Sequence, residues 1–192
     1  MKIKLLPKFI LSLAVLGVAL TVTISAFSYL SSKVYLEEMY AQRVISGSKS
    51  VATMLDKEDV RTIISDGGEN SEAYGRVENI LNTIKRDGEI TYLSLVIPDE
   101  DSVTFYIDGC VPEMGDDPAN QLTYGTDVLY TDAANDEADL QKYLLIWGMY
   151  AENKGTDEPL VTDNSYGYNY TAVAPILDEN GQAIAEIQYI LD

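Results

Sequence analysis

The sequence predicts an α+β domain carried behind an N-terminal apolar helix, on three observations. A run of 22 residues without a charge, Phe9 to Leu30, stands near the start. Stretches with apolar residues three and four apart follow it, and beyond Arg86 the apolar period shortens to two in paired segments joined by turn residues. Segregated helices beside antiparallel hairpins make an α+β architecture rather than an alternating α/β one.

The charge-free run, FILSLAVLGVALTVTISAFSYL, is long enough at about 1.5 Å per residue to cross a hydrocarbon core of about 30 Å. Lys2, Lys4 and Lys8 precede it without an acid, so the positive-inside bias predicts residues 1–8 as a cytoplasmic tail, 9–30 as a transmembrane helix and 31–192 as an extracytoplasmic domain. A cleaved secretory signal is the alternative. Its apolar region is only about 7 to 15 residues, and Ile24-Ser25-Ala26 is a poor cleavage match. Both alternatives place the remaining chain in the same compartment, whereas a buried helix of a soluble domain, the third, does not.

Val34, Ala41, Val44, Ser48, Val51 and Leu55 mark one stripe of a long helix that continues from the membrane segment without a linker. Glu37 and Ser48 on or near that stripe make a poor strict coiled coil, so the helix is expected to pack on its own domain, with helix-to-helix contact in a homodimer as a second role. Asp56 to Ser65 adds a further turn or two, stopped by Asp66-Gly67-Gly68. Another helix runs from Ser71 to Lys85 with Val77, Ile80, Leu81 and Ile84 on one side, and Asp87-Gly88 ends it. Ile90–Ile97 and Ser102–Asp108 then form a hairpin across Pro98–Asp101. Residues 109–125, with two prolines and three glycines, form a loop. A helix is predicted over Asp136–Ala151, and after Gly155 the chain returns to loop. Tyr168–Ile176 and Gln182–Leu191 close the domain as a hairpin across Asp178-Glu179-Asn180-Gly181, whose Asn-Gly pair favours a tight turn.

Composition excludes several functions. The chain has 31 acids and 13 lysines plus arginines; three of those cations lie in the first eight residues, so residues 31–192 hold 31 acids against 10 cations. Such a surface repels nucleic acid and anionic headgroups. There is no histidine, which rules out Ser-His-Asp and Cys-His catalysis and the HExxH zinc site. Cys110 is the single cysteine, so no intrachain disulfide forms and a free thiol or an interchain bond remain. The acidic clusters Asp99-Glu100-Asp101, Asp116-Asp117 and Asp132 to Asp139 lack calcium-loop spacing. Neither an enzyme, a metal site nor a cofactor is predicted.

The order of elements, the hairpin YLSLVIPDEDSVTFYIDG and the closing YNYTAVAPILDENGQAIAEIQYILD resemble the Cache family, the extracytoplasmic PAS-like sensor domains of bacterial membrane receptors. The resemblance spans nearly all of residues 31–192, though each motif is degenerate. It implies a single module with a five-stranded antiparallel sheet, one face under the long helix and the other holding a small-molecule pocket. Family members usually return to the membrane and carry a cytoplasmic output module, such as a chemotaxis, histidine kinase or cyclase unit. This sequence ends at Asp192, so either it is truncated there or a separate protein carries the output.

Strand alternation assigns faces independently of that resemblance. Leu93, Leu95 and Ile97 share one side with Val103, Phe105 and Ile107, and the opposite side collects Tyr92, Ser94, Thr104, Tyr106 and Asp108. On the last strand Ala185, Ile187, Tyr189 and Leu191 oppose Glu186 and Gln188. A mixed aromatic and polar face suits a ligand pocket, and equally a half-solvated sheet. The ligand-binding candidates are Tyr92, Tyr106, Asp108, Trp147, Tyr150, Tyr168, Tyr170 and Glu186. Beyond Arg86 only Lys142 and Lys154 are cationic against 22 acids, which disfavours anionic ligands. Amines, other cations or neutral compounds fit better, with Asp108 or Glu186 as counter-charge and tyrosine faces for cation–π contact. The contrasting expectation is a membrane-anchored acidic module that binds a protein and no small ligand.

Overall fold

A computed structural model describes residues 5–65, 67–164 and 167–192, so Lys2, Lys4 and the Asp66 stop signal lie outside the described residues. The chain divides into two compact units, Met1–Met39 and Tyr40–Asp192.

Helix α1 runs unbroken over Leu5–Met54, 50 residues. Within the first unit its apolar side chains face outward all round: Phe9, Leu13, Leu16, Leu20, Ile24, Phe27 and Leu30 are each more than half exposed. This helix is long and apolar enough to cross a membrane. Three of its hydroxyls, those of Ser12, Thr21 and Thr23, each donate to the carbonyl four residues back, which satisfies them without water.

The second unit is built on an antiparallel sheet of six strands in the order β3-β2-β1-β6-β5-β4. These are β1 (Tyr92–Pro98), β2 (Ser102–Asp108), β3 (Thr126–Leu129), β4 (Leu160–Asn164), β5 (Gly167–Leu177) and β6 (Ala183–Leu191). The last strand in sequence is thus central, paired with β1 and β5.

One face of the sheet carries the main core. The C-terminal part of α1 lays Val44, Val51, Ala52 and Leu55 on it, joined by Val60 and Ile63 of α2 (Lys57–Ile64) and Ala73, Val77 and Leu81 of α3 (Glu72–Asp87). Opposite them stand Leu93, Leu95, Ile107, Ala172, Ala174, Ile176, Ala185, Ile187 and Tyr189. Helix α1 comes so close to β6 that a Cβ on Gly47 would lie 2.6 Å from the Tyr189 ring. The helix starts follow from their caps: the Asp56 carboxylate accepts the Glu58 N–H at 2.8 Å, and the Ser71 hydroxyl accepts that of Tyr74 at 3.1 Å.

The other face is covered by α4 (Tyr130–Ala133) and α5 (Glu137–Ala151). There Val96, Val103 and Tyr130 are buried under Phe105, Val128, Leu140, Tyr143, Leu144 and Trp147. The long loop after β2 is tied to α3 rather than left free. The Lys85 ammonium, 2% exposed, donates to Gly109 O at 2.8 Å and to the Asp116 carboxylate at 2.5 Å, and that carboxylate also accepts the Val111 N–H.

The α+β class holds, and two details of the expected sheet are corrected. It has six strands and not five, because the short segments Thr126–Leu129 and Leu160–Asn164 join its two edges. The face assignment of the first hairpin fails at a bulge: Leu95 pairs with Ile107 but Val96 with Phe105, leaving Tyr106 as an extra residue. Ile107 therefore enters the main core while Val103 and Phe105 go to the α5 side.

Candidate functional site

The α5-covered face holds a charge problem. Alternation on β6 sends Ala185, Ile187 and Tyr189 into the main core and Glu186 to the opposite side, where its backbone pairs with Val96 and Pro175. Glu186 is fully buried, and neither carboxylate oxygen has a hydrogen-bond partner. Burial alone pushes its carboxyl well above the ordinary carboxylate range. A buried acid left unpaired costs at least what an unmade hydrogen bond does, about 1 to 3 kcal/mol, and far more if it ionises.

Two phenols share this environment. Tyr130 is 2% exposed, and its hydroxyl also lacks a partner. The nearby Asp99 N–H is already committed to Ser102 O at 2.8 Å. Burial first, and then the Glu186 charge, raise the Tyr130 hydroxyl far above its usual value. Tyr150 is pushed up to about 12 by burial, then by Glu186 and Tyr106, and its hydroxyl donates to Ala183 O across a long 3.4 Å. Tyr143 stacks on Tyr130 with centroids 5.6 Å apart, and Trp147 and Leu144 pack half-buried in the same layer. An acid, two phenols and a set of aromatic walls thus meet on one side of the central strands. Such a group can accept hydrogen bonds from a ligand, donate to one while protonated, or balance a positive charge.

The sequence-derived candidates divide between several places. Glu186, Tyr150 and Trp147 come together on this face. Asp108 does not offer a free carboxylate, because it accepts the Ser94 hydroxyl at 2.9 Å and the Leu122 N–H at 3.1 Å. Tyr106, the bulge residue, packs against the main core, edge-on to Tyr124 at 5.4 Å. Tyr92 is 38% exposed and lies under the Lys85 ammonium, 5.9 Å from its centroid. Tyr170 is buried in the main core and stacks on Tyr40 of α1 at 5.5 Å. Tyr168, half exposed, meets Tyr170 edge-on. The aromatic cage expected from Trp147, Tyr150, Tyr168 and Tyr170 is therefore split: Tyr170 serves the long-helix side.

Tyr130 was not among the candidates. It lies in a stretch without clear periodicity, and as the first residue of the four-residue α4 it is buried against β1, β2 and α5. Among the described residues no group of three or more His, Cys, Asp or Glu side chains is placed to hold a metal ion.

No protein-family model matches the chain, and no curated protein matches it in sequence. Solved structures give distant likenesses. The inducer-binding domain of the PobR transcription factor from Acinetobacter, a double mutant in complex with 3-hydroxybenzoic acid, is 11% identical with a TM-score of 0.38, over 62% of this chain and 82% of that one. The sensory domain of the Campylobacter jejuni chemoreceptor Tlp3 (CcmL), with isoleucine bound, is 15% identical with a TM-score of 0.40, over 88% of this chain. This chain spans 61% of that sensory domain. At such scores the fold rests on the chain's own strand order and packing.

Proposed function

We propose that the chain is the membrane-anchored, extracytoplasmic sensing domain of a signal-transduction receptor, and that it binds an amine, another organic cation or a neutral metabolite on the α5-covered face. The observation that carries this is the fully buried Glu186 with both oxygens unpaired. Proteins place unpaired acids in their interior at a cost in stability, and strongly perturbed acids concentrate at functional sites. Tyr130, Tyr150 and Trp147 would form the walls, and the acid-rich chain beyond Arg86 works against anionic ligands. The apolar N-terminal helix supplies the anchor, and the hairpins that resemble Cache domains agree with a sensor.

Strand β6 gives this site a route to α1. It bears Glu186 on one face and Tyr189, pressed against Gly47 of α1, on the other. A ligand that moves β6 by a fraction of an ångström alters that contact, and a coupling of about 1 to 3 kcal/mol makes a useful switch.

The test is a thermal-shift screen of the full chain in detergent against amines, neutral metabolites and carboxylates. A ligand at 100 times its Kd stabilises by about 2.7 kcal/mol, and Glu186→Gln should reduce the shift. Binding by carboxylates alone would overturn the ligand class. No stabilisation by any compound, together with capture of a protein partner, would replace the sensor by an acidic interaction module.

A further inference from the structure

We propose that capture at this site is an ion exchange, in which a protonated amine docks against the Glu186 carboxylate as Glu186 gives up its proton to solvent. This rests on the sensing function proposed above and specifies its ligand and its response to pH. The balance is simple: R–NH3+ and a neutral carboxyl become an ammonium–carboxylate pair and one released proton. No bond other than O–H breaks, and no co-reactant is needed.

Among the described residues the elements packed around Glu186 offer no acceptor for that proton and no unengaged positive charge. On β6 the neighbour on the same face is Gln188; on β1 they are Ser94 and Val96; on β5 they are Val173 and Pro175. None of these titrates. From α4 comes the Tyr130 phenol and from α5 the Tyr150 phenol, both held protonated across the ordinary pH range. Asp99 and Asp101 of the β1–β2 turn add negative charge near Tyr130. On α5 the buried Asp139 is matched by Lys142 at 3.2 Å, so that cation is already engaged. Burial accounts for the retention of the proton by Glu186, and among the described residues no cation acts on its carboxyl. An arriving ammonium supplies the missing charge and up to three donors for two oxygens that have none.

Two consequences follow. The affinity for an amine rises about tenfold per pH unit over the window in which the empty site is protonated, since one proton leaves for each ligand bound. The affinity for a neutral ligand of the same shape does not. The domain would therefore report an amine more strongly in alkaline than in acidic surroundings, without any histidine.

The experiment uses the full chain in detergent micelles with n-butylammonium and n-pentanol as probes. Binding is followed calorimetrically from pH 5 to 8, and proton release is counted in weakly buffered solution with a pH indicator. The expected result is close to one proton released per n-butylammonium bound, none per n-pentanol, and loss of the release in Glu186→Gln. Binding of n-butylammonium with no proton released overturns the exchange and leaves the sensing site standing. Binding of n-pentanol alone does the same. If neither probe binds and neither stabilises the wild-type chain, the exchange is overturned together with the site on which it rests.

Discussion

Replacing Glu186 by Gln should change how stability depends on pH, by an amount fixed by one proton. In the folded chain the carboxyl is fully buried and holds its proton well above the ordinary value of 4.5. The unfolded chain releases that proton near the ordinary value. The stability contributed by the bound proton is therefore fully present below pH 4.5 and is lost as pH rises through the folded-state value. Each pH unit inside that window costs about 1.4 kcal/mol, so two units cost about 2.7 kcal/mol. Gln has nearly the same shape and cannot titrate, so near pH 4 the two proteins should be close and Glu186→Gln should gain on the wild type by about 1.4 kcal/mol per unit above it. Glu186→Met also removes the orphaned oxygens and should exceed Gln by about 1 to 3 kcal/mol at every pH. Groups such as Asp59, Asp178 and Glu179, whose carboxyls are lowered by Arg76, by the Gln182 N–H and by Arg61 respectively, are common to both proteins and cancel in the difference. Urea unfolding of the full chain in detergent, read from the fluorescence of Trp147, the single tryptophan, measures the curves at pH 4, 5, 6, 7 and 8. Parallel curves for wild type and Glu186→Gln would refute the assignment of a neutral buried acid.

Three further outcomes test other parts of the structure. Gly47→Ala places a methyl 2.6 Å from the buried Tyr189 ring; the overpacking should cost about 1 to 3 kcal/mol in urea unfolding, and adding Tyr189→Leu should recover part of it. Lys85→Ala strands the Asp116 carboxylate and Gly109 O beside a buried space, for a loss of about 3 to 5 kcal/mol and faster proteolysis of the 109–125 loop; an unchanged urea midpoint would show that the pair carries no weight. Alkaline phosphatase fused after Asp192 should be active in intact bacteria, and a fluorescent protein there that matures only in the cytoplasm should be dark; the reverse pattern would place the domain inside.

Much of the architecture is legible in the sequence because its signals are local. The 22-residue apolar run lies within one helix, further helices begin beside Asp56 and Ser71, and the Asp-Glu-Asn-Gly turn joins β5 to β6, each where it was expected. Strands β3 and β4 were not legible: with four and five residues they are too short to show a period, and pairing to β2 and β5 alone defines them. The bulge was invisible for a related reason. Period-two alternation assumes that no residue is extra, and Tyr106 is extra only because of how β1 lies against β2. Tyr170 was within reach, since it shares the parity of Ala172, Ala174 and Ile176 on β5, and the register set by the closing turn pairs Ala174 with core-facing Ile187. The outward turn of Glu186 from Ile187 was plain. Its complete burial was not, because the cover is α5, and which face α5 covers is a tertiary choice.

The placement of Glu186 also bears on how a small ligand could drive a large helix. A strand in the middle of a sheet cannot slide by one residue without sending Tyr189 and Ile187 to the wrong face, so β6 has only small displacements and changes of twist available to it. Sub-ångström motion transmits poorly through soft contacts. Gly47 reduces the softness: with no side chain of its own there, α1 approaches the Tyr189 ring too closely to admit even a Cβ. The energy required is also at hand, because ionising a buried carboxyl unaided costs more than the 1 to 3 kcal/mol of a typical coupling. A ligand that supplies the opposing charge therefore alters the balance on β6 by enough to matter, and the close contact with α1 lies on the same strand, three residues away.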